Sequence, residues 1–171
     1  MKKQTSKNDD SCTFDHELAG KYLTFFLKNE KYGCPIGFIN DIIEMCEVTG
    51  VPQTSDYVEG VINLRGTVIP VLDLREKFGM ERAEYDRRTC IVVVELDGLQ
   101  TGLIVDEVED VIDFADDQVD PAPGMGQQIN QRFIGGMGKL EEEVIILLSL
   151  EHVLKENELK ELKAVEEENS N

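Results

Sequence analysis

The chain repeats itself. Displaced by 69 residues, GCPIGFINDIIE (33–44) lies on GLIVDEVEDVID (102–113), so that Gly33 meets Gly102, Asp41 meets Asp110 and Ile43 meets Ile112. Displaced by 76, GVINLRGTVIPVLDL (60–74) lies on GMGKLEEEVIILLSL (136–150), with Gly60, Leu64, Val68, Ile69, Leu72 and Leu74 finding identical partners. One such match arises by chance between apolar strands. Two, in the same order and with matching glycines, mark two copies of a small unit of roughly five strands. A unit that small buries too little surface to stand alone, so the pair must share a further core. Closing each sheet into a barrel removes its exposed edges.

Local signals in both copies are those of strands and turns. KYLTFFLKNEKYGCPI (21–36) reads as strand, turn, strand, with Asn29 and Glu30 near the turn. FINDIIEMCEV (38–48) fits either a short helix or a strand, since Phe38, Ile39, Ile42 and Ile43 fall at helical spacing. SDYVEG (55–60) reads as a helical turn capped by Ser55. GVINLRGTVIPVLDL reads as a hairpin turning at Arg65-Gly66, where Gly66 supplies a positive φ. Pro70 donates no ladder hydrogen bond and belongs on an edge or at a bulge. LREKFGM (74–80) is a short helix stopped by Gly79. TCIVVVELDGLQTGLIVDEV (89–108) is a hairpin around Asp97-Gly98, and EEEVIILLSL (141–150) holds a further strand. LEHVLKENELKELKAVEEE (150–168) reads as a C-terminal helix packing through Leu154, Leu159 and Leu162. The expected organisation is a polar tail over 1–19, a first subdomain over 20–85, a second over 86–152, and the helix with its acidic end over 153–171.

Charge excludes several functions. With 35 acidic against 17 basic residues the net charge is −18, which repels phosphate backbones and anionic membrane surfaces. Protein or cationic partners are favoured instead. No apolar stretch approaches the roughly 20 residues of a membrane span. Cys12, Cys34, Cys46 and Cys90 form no CxxC pair, and His16 and His152 stand apart from them. Neither a disulfide framework nor a zinc site is expected, and with no N-terminal apolar region the reading is a cytoplasmic, reduced protein. GxSxG, GxxxxGK[ST] and HExxH are all missing, and IGGMGKL (134–140) leads into a strand rather than a phosphate-binding helix. DEVEDVIDFADDQVD (106–120) lacks the glycine and terminal glutamate of a calcium loop and reads as an acidic solvated face. No catalysis, cofactor or metal is expected.

The two copies agree in their apolar positions and differ at one hairpin tip. Asn63-Leu64-Arg65-Gly66 in the first is Lys139-Leu140-Glu141-Glu142 in the second. What folding needs is shared; what differs is free to serve a partner. Arg65, on a turn held by a rigid scaffold, is therefore a candidate site.

EGVINLRGTVIPVLDLREKFG (59–79) resembles the signature segment of the CheW family of bacterial chemotaxis coupling proteins, and the rest of the chain fits in order over about residues 20–155. The resemblance implies an all-β fold with short helices: two tandem SH3-like five-stranded β-barrels sharing a hydrophobic core, plus a C-terminal helix. It implies a non-enzymatic adaptor linking the cytoplasmic tips of methyl-accepting chemoreceptors to the histidine kinase CheA, in signalling arrays at the inner face of the membrane, with copies of the adaptor as further neighbours. Carried over by motif, Ile39, Asp41 and Ile42 would meet the kinase regulatory domain. Asp41 stands where the family usually has glutamate, a methylene longer. Arg65 and Asn63 would serve receptor or array contacts, with Arg65 facing either a receptor or a neighbouring adaptor. Val111, the counterpart of Ile42, would lie near the groove between barrels that receives the receptor tip. Ile39 and Ile42 also read as core residues, and Asn63 as a turn brace. The rival functions are a coupling protein of a pilus-motility or other chemosensory-like pathway, and a small-ligand or metal-binding barrel using 106–120.

Overall fold

Positive φ at Lys28-Asn29 (52°, 70°), Arg65-Gly66 (52°, 87°) and Asp97-Gly98 (55°, 79°) reverses the chain three times within two residues. This backbone matches the twist of the strands on either side. The computed structural model describes residues 18–52, 58–121 and 133–154. Its strands are β1 (Gly20–Leu27), β2 (Glu30–Pro35), β3 (Ile39–Glu44), β4 (Val58–Leu64), β5 (Thr67–Asp73), β6 (Cys90–Leu96), β7 (Leu99–Val105), β8 (Glu107–Phe114), β9 (Val119–Pro121), β10 (Ile134–Leu140) and β11 (Glu143–Leu148). Two four-residue helices, α1 (Leu74–Lys77) and α2 (Leu150–Val153), follow β5 and β11.

The strands form two sheets in the orders β9-β10-β11-β2-β1-β8 and β3-β6-β7-β5-β4, called barrel A and barrel B below. Neither is contiguous in sequence. The β1–β2 hairpin of the first copy is inserted between β8 and β11 of the second, and the β6–β7 hairpin of the second between β3 and β5 of the first. The copies have exchanged hairpins. The boundary expected between residues 85 and 86 therefore does not separate the sheets, because each barrel needs strands from both sides of it.

Both barrels close by the same device. In barrel B the chain after β3 crosses to the opposite edge, where Thr49 and Val61 exchange backbone hydrogen bonds of 2.9 and 2.8 Å. In barrel A the chain after β8 crosses to form β9, whose Asp120 pairs with Met137. Close approach at these seams explains two matched glycines. A Cβ on Gly60 (φ 150°) would stand 2.1 Å from the Thr49 carbonyl oxygen, and one on Gly136 would stand 2.6 Å from that of Asp120.

Alternation along the exchanged strands produces three cores. On β6, Ile91 and Val93 fill barrel B while Val92, Val94 and Leu96 face a core common to both sheets. That two-sided burial is why CIVVVEL is an unbroken apolar run. Tyr22, Phe114, Ile145 and Leu147 fill barrel A. Phe25, Tyr32, Phe78 and Phe133 run through the common core with successive ring centroids 6.0, 5.9 and 5.2 Å apart. Each such ring contributes roughly 1.5–3 kcal/mol by leaving water.

Several local expectations change. FINDIIEM begins on the last residue of a 3-10 turn, Ile36–Phe38, and continues as strand β3; the strand alternates between half-buried and exposed residues from Ile39 to Glu44, and it is exposed Ile42, next to half-buried Ile43, that imitates helical spacing. Val58–Gly60, expected in a helical turn, begin β4, with Val58 drawn into the common core; Ser55 lies outside the described residues. Pro70 is on the inner strand β5, not an edge. It loses no ladder bond, because it sits one residue before β5 begins to pair with β7 at Val71 and Gly102. Helix α2 is four residues long, and Leu154 after it is buried in the common core; Leu159, Leu162 and the acidic end lie outside the described residues.

Candidate functional site

Strand β3 is an edge strand that carries one bulge. Ile39 pairs with Val94 and Asp41 with Val93, leaving Asn40 without an opposite residue. Asn40 donates its side-chain amide to Glu95 at 2.9 Å. Beyond the bulge Asp41 and Ile43 are half-buried and Ile42 is 41 % exposed. Ile39 packs against the common core. Of the two apolar candidates on this strand, Ile42 faces solvent and Ile39 is mainly structural.

Arg65 lies across from β3. It occupies the left-handed position of the β4–β5 turn, and Asn63 braces that turn by accepting the Gly66 N–H at 2.9 Å. The Arg65 Nη2 atom is 2.8 Å from Asp41 Oδ2, with the two side chains 73 % and 27 % exposed. The Asp41 carboxylate also accepts the Ile42 N–H at 2.9 Å. The Arg65 hydrogen bond and then the Ile42 amide hold this carboxyl below the usual carboxylate range. Residues assigned from sequence to two different partners thus form one group: an ion pair reaching from the β4–β5 tip to β3, beside exposed Ile42.

The counterpart in barrel A keeps the backbone and loses the charge pair. Its bulge falls at Glu109, Asp110 accepts the Val111 N–H at 2.7 Å, and Val111 is 46 % exposed on edge strand β8. Glu141 stands where Arg65 would be. Lys31 on β2 instead links edge strand β8 to the start of β11, 3.1 Å from Glu109 and 2.7 Å from Glu143. On barrel A, beside the turn that precedes β3 and the start of α2, a cleft of about 330 Å³ is lined by Tyr22, Pro35, Phe38, Leu148 and Leu150 among others. Val111, expected near the groove between the barrels, lies on edge strand β8 of barrel A.

A polar cleft lined by Asp73, Arg75, Tyr85, Asp86, Arg88 and Asp106 among others is braced by its own side chains. Buried Asp73 accepts the Arg75 and Glu76 amides at the start of α1 and the Tyr85 hydroxyl at 2.6 Å. Arg75 forks onto Asp106, and Arg82 forks onto Glu59. The 106–120 segment is β8 and its continuation, with Asp106 and Glu109 engaged by Arg75 and Lys31. Among the described residues no group of three or more His, Cys, Asp or Glu is placed to hold a metal ion. What the surface offers is apolar side chains beside fixed charges, the composition of a protein interface.

Comparison with known proteins agrees. The CheW-like domain family matches residues 21–158. The chemotaxis protein CheW of Klebsiella aerogenes is 34 % identical over 148 residues, 84 % of this chain and 89 % of that protein. The chemotaxis protein CheW of Helicobacter pylori is 30 % identical, covering 92 % of this chain and 94 % of the relative. The crystal structure of the scaffolding protein TtCheW from Thermoanaerobacter tengcongensis superposes with a TM-score of 0.75 at 32 % identity, over 82 % of this chain and 95 % of that one.

Proposed function

The chain belongs to the CheW-like family of non-catalytic chemotaxis scaffolds, and from that premise we propose that it couples the cytoplasmic tips of chemoreceptors to the histidine kinase CheA. The observation that carries this reading is the Arg65–Asp41 pair beside Ile42. It is an oriented cation and an exposed apolar residue on a rigid strand edge, in the copy of the repeat that differs from its partner at this point. Ile42 and Asp41 dock the kinase regulatory domain. Arg65, braced by Asn63, faces the receptor or the next adaptor, and Val111 gives barrel A a second apolar contact. Two weak contacts on one body raise the local concentration of each partner for the other. A receptor change then biases the kinase only by the difference in binding between its two states.

The test is calorimetric titration of the full chain with the regulatory domain of CheA and, separately, with a receptor-tip fragment. Ile42→Asp should abolish or strongly weaken kinase binding. Arg65→Ala should spare it and reduce receptor or array binding about thirtyfold, the equivalent of roughly 2 kcal/mol. Binding to neither partner by folded protein removes the coupling function and leaves the fold standing.

A further inference from the structure

The β10–β11 tip differs from the β4–β5 tip in chemistry as well as sequence. Where barrel B presents Asn63, Arg65 and Thr67, barrel A presents Lys139, Glu141 and Glu143, with Glu142 between the last two. Glu141, Glu142 and Glu143 are exposed, and next to them Val144 is 59 % exposed, the highest value among the large hydrophobic residues described. Cross-strand pairing of Met137 with Ile146 and of Lys139 with Val144 puts these four on one face of the sheet. Phe26, Met137, Val144 and Ile146 are the apolar residues of a depression of about 460 Å³, and Glu30, Lys31 and Glu143 its charged ones.

The charges around this depression do not cancel. Lys31 is held between Glu109 and Glu143, and Lys139 lies 3.1 Å from Asp120. Glu141 and Glu142 enter no ion pair among the described residues. A half-buried apolar floor with exposed Val144 at its rim and a surplus of carboxylates on the adjoining tip repels phosphate and anionic lipid and attracts a cation that carries apolar surface beside it. We propose that this depression docks a basic, apolar-anchored segment of a protein partner, its apolar side chain over Val144 and Ile146 and its Lys or Arg residues at Glu141 and Glu142. The surface is on barrel A and involves none of Arg65, Asp41 or Ile42, so it stands apart from the coupling function proposed above.

Two synthetic peptides with identical apolar positions test this, one flanked by Arg and Lys and one by Glu, titrated into the isotope-labelled full chain and followed by amide chemical shifts. The basic peptide should perturb Met137, Glu142, Val144 and Ile146, bind at least about tenfold more weakly to Val144→Ser, and lose most affinity in Glu141→Lys/Glu142→Lys. Both variants alter exposed side chains, and an unchanged amide spectrum elsewhere confirms that they fold. Asp116→Lys/Asp117→Lys serves as the control for general attraction to an acidic protein and should leave the affinity within about twofold. Shifts spread over the whole acidic surface, indifference to Val144→Ser, equal binding of the acidic peptide, or no binding of either at millimolar concentration would each overturn the proposal.

Discussion

Arg65 and Asp41 meet at 2.8 Å across barrel B, whereas their counterparts in barrel A, Glu141 and Asp110, carry like charges. An ion pair this exposed contributes little to folding. Its expected role is to aim the guanidinium. Arg65→Asp combined with Asp41→Arg should therefore preserve the melting temperature and the pair itself, yet fail to restore receptor or array binding. Recovery of binding in the reversed pair would show that only the link between edges matters.

The seam at Thr49 and Val61 makes Gly60 a sensitive position. A methyl group there meets the Thr49 carbonyl in a backbone region unfavourable to L-residues. Gly60→Ala should cost roughly 2–4 kcal/mol and lower the melting temperature by about 5–10 °C. Gly98→Asn, at a positive-φ turn with open space around it, should change stability by only a few tenths of a kcal/mol. Calorimetry of the two variants side by side separates crowding at the seam from backbone preference alone.

Two phenols tie stability to alkaline pH. Burial, and then the Asp73 hydrogen bond, pushes the Tyr85 hydroxyl above its ordinary range; burial, and then the charge of Glu30, does the same to Tyr32. In the unfolded chain these groups ionise near pH 10, about where a free tyrosine does. The folded state keeps their protons longer, so its advantage is complete below that pH and shrinks as pH rises past it. Urea midpoints measured from pH 7 to 11 should fall steeply above about pH 10. Tyr85→Phe should flatten part of that fall and cost about 1–2 kcal/mol at neutral pH by leaving Asp73 one donor short.

Thiol chemistry should separate the cysteines of the described region. Cys34 is fully buried and its thiol is pushed up to about 12 by burial, while Cys46 is exposed. Brief alkylation of native protein followed by peptide mass mapping should modify Cys46 and leave Cys34 untouched until denaturant is added. Early labelling of Cys34 would contradict the packing between the barrels.

The hairpins were legible in the sequence because turn chemistry such as that of Asp97-Gly98 acts locally, and the repeat was legible because both copies keep glycine where the seams crowd Gly60 and Gly136. The exchange of hairpins was not. Both barrels use the same strand order, so β1–β2 fits the second copy's sheet by the pattern that would fit its own, and a repeat comparison is symmetric between the two. The site was visible in part. Asn63, Arg65, Asp41 and Ile42 were each marked, but that Arg65 touches Asp41 depends on how the sheet rolls, which no spacing reveals. Val144 went unremarked because it lies in an apolar strand and looks like core. Only the tip beside it, where the copies differ, pointed there.

The exchanged hairpins also fix how force and position pass through the molecule. Each barrel carries two strands of the other's repeat, so the two cannot turn or slide apart without tearing backbone ladders on both sides. A partner gripping β3 and one gripping β8 are therefore held at a constant spacing and angle, as on a single rigid strut. Such a body cannot signal by bending. Displacement at one edge strand would reach the other through shared backbone ladders, which run from each repeat into both sheets.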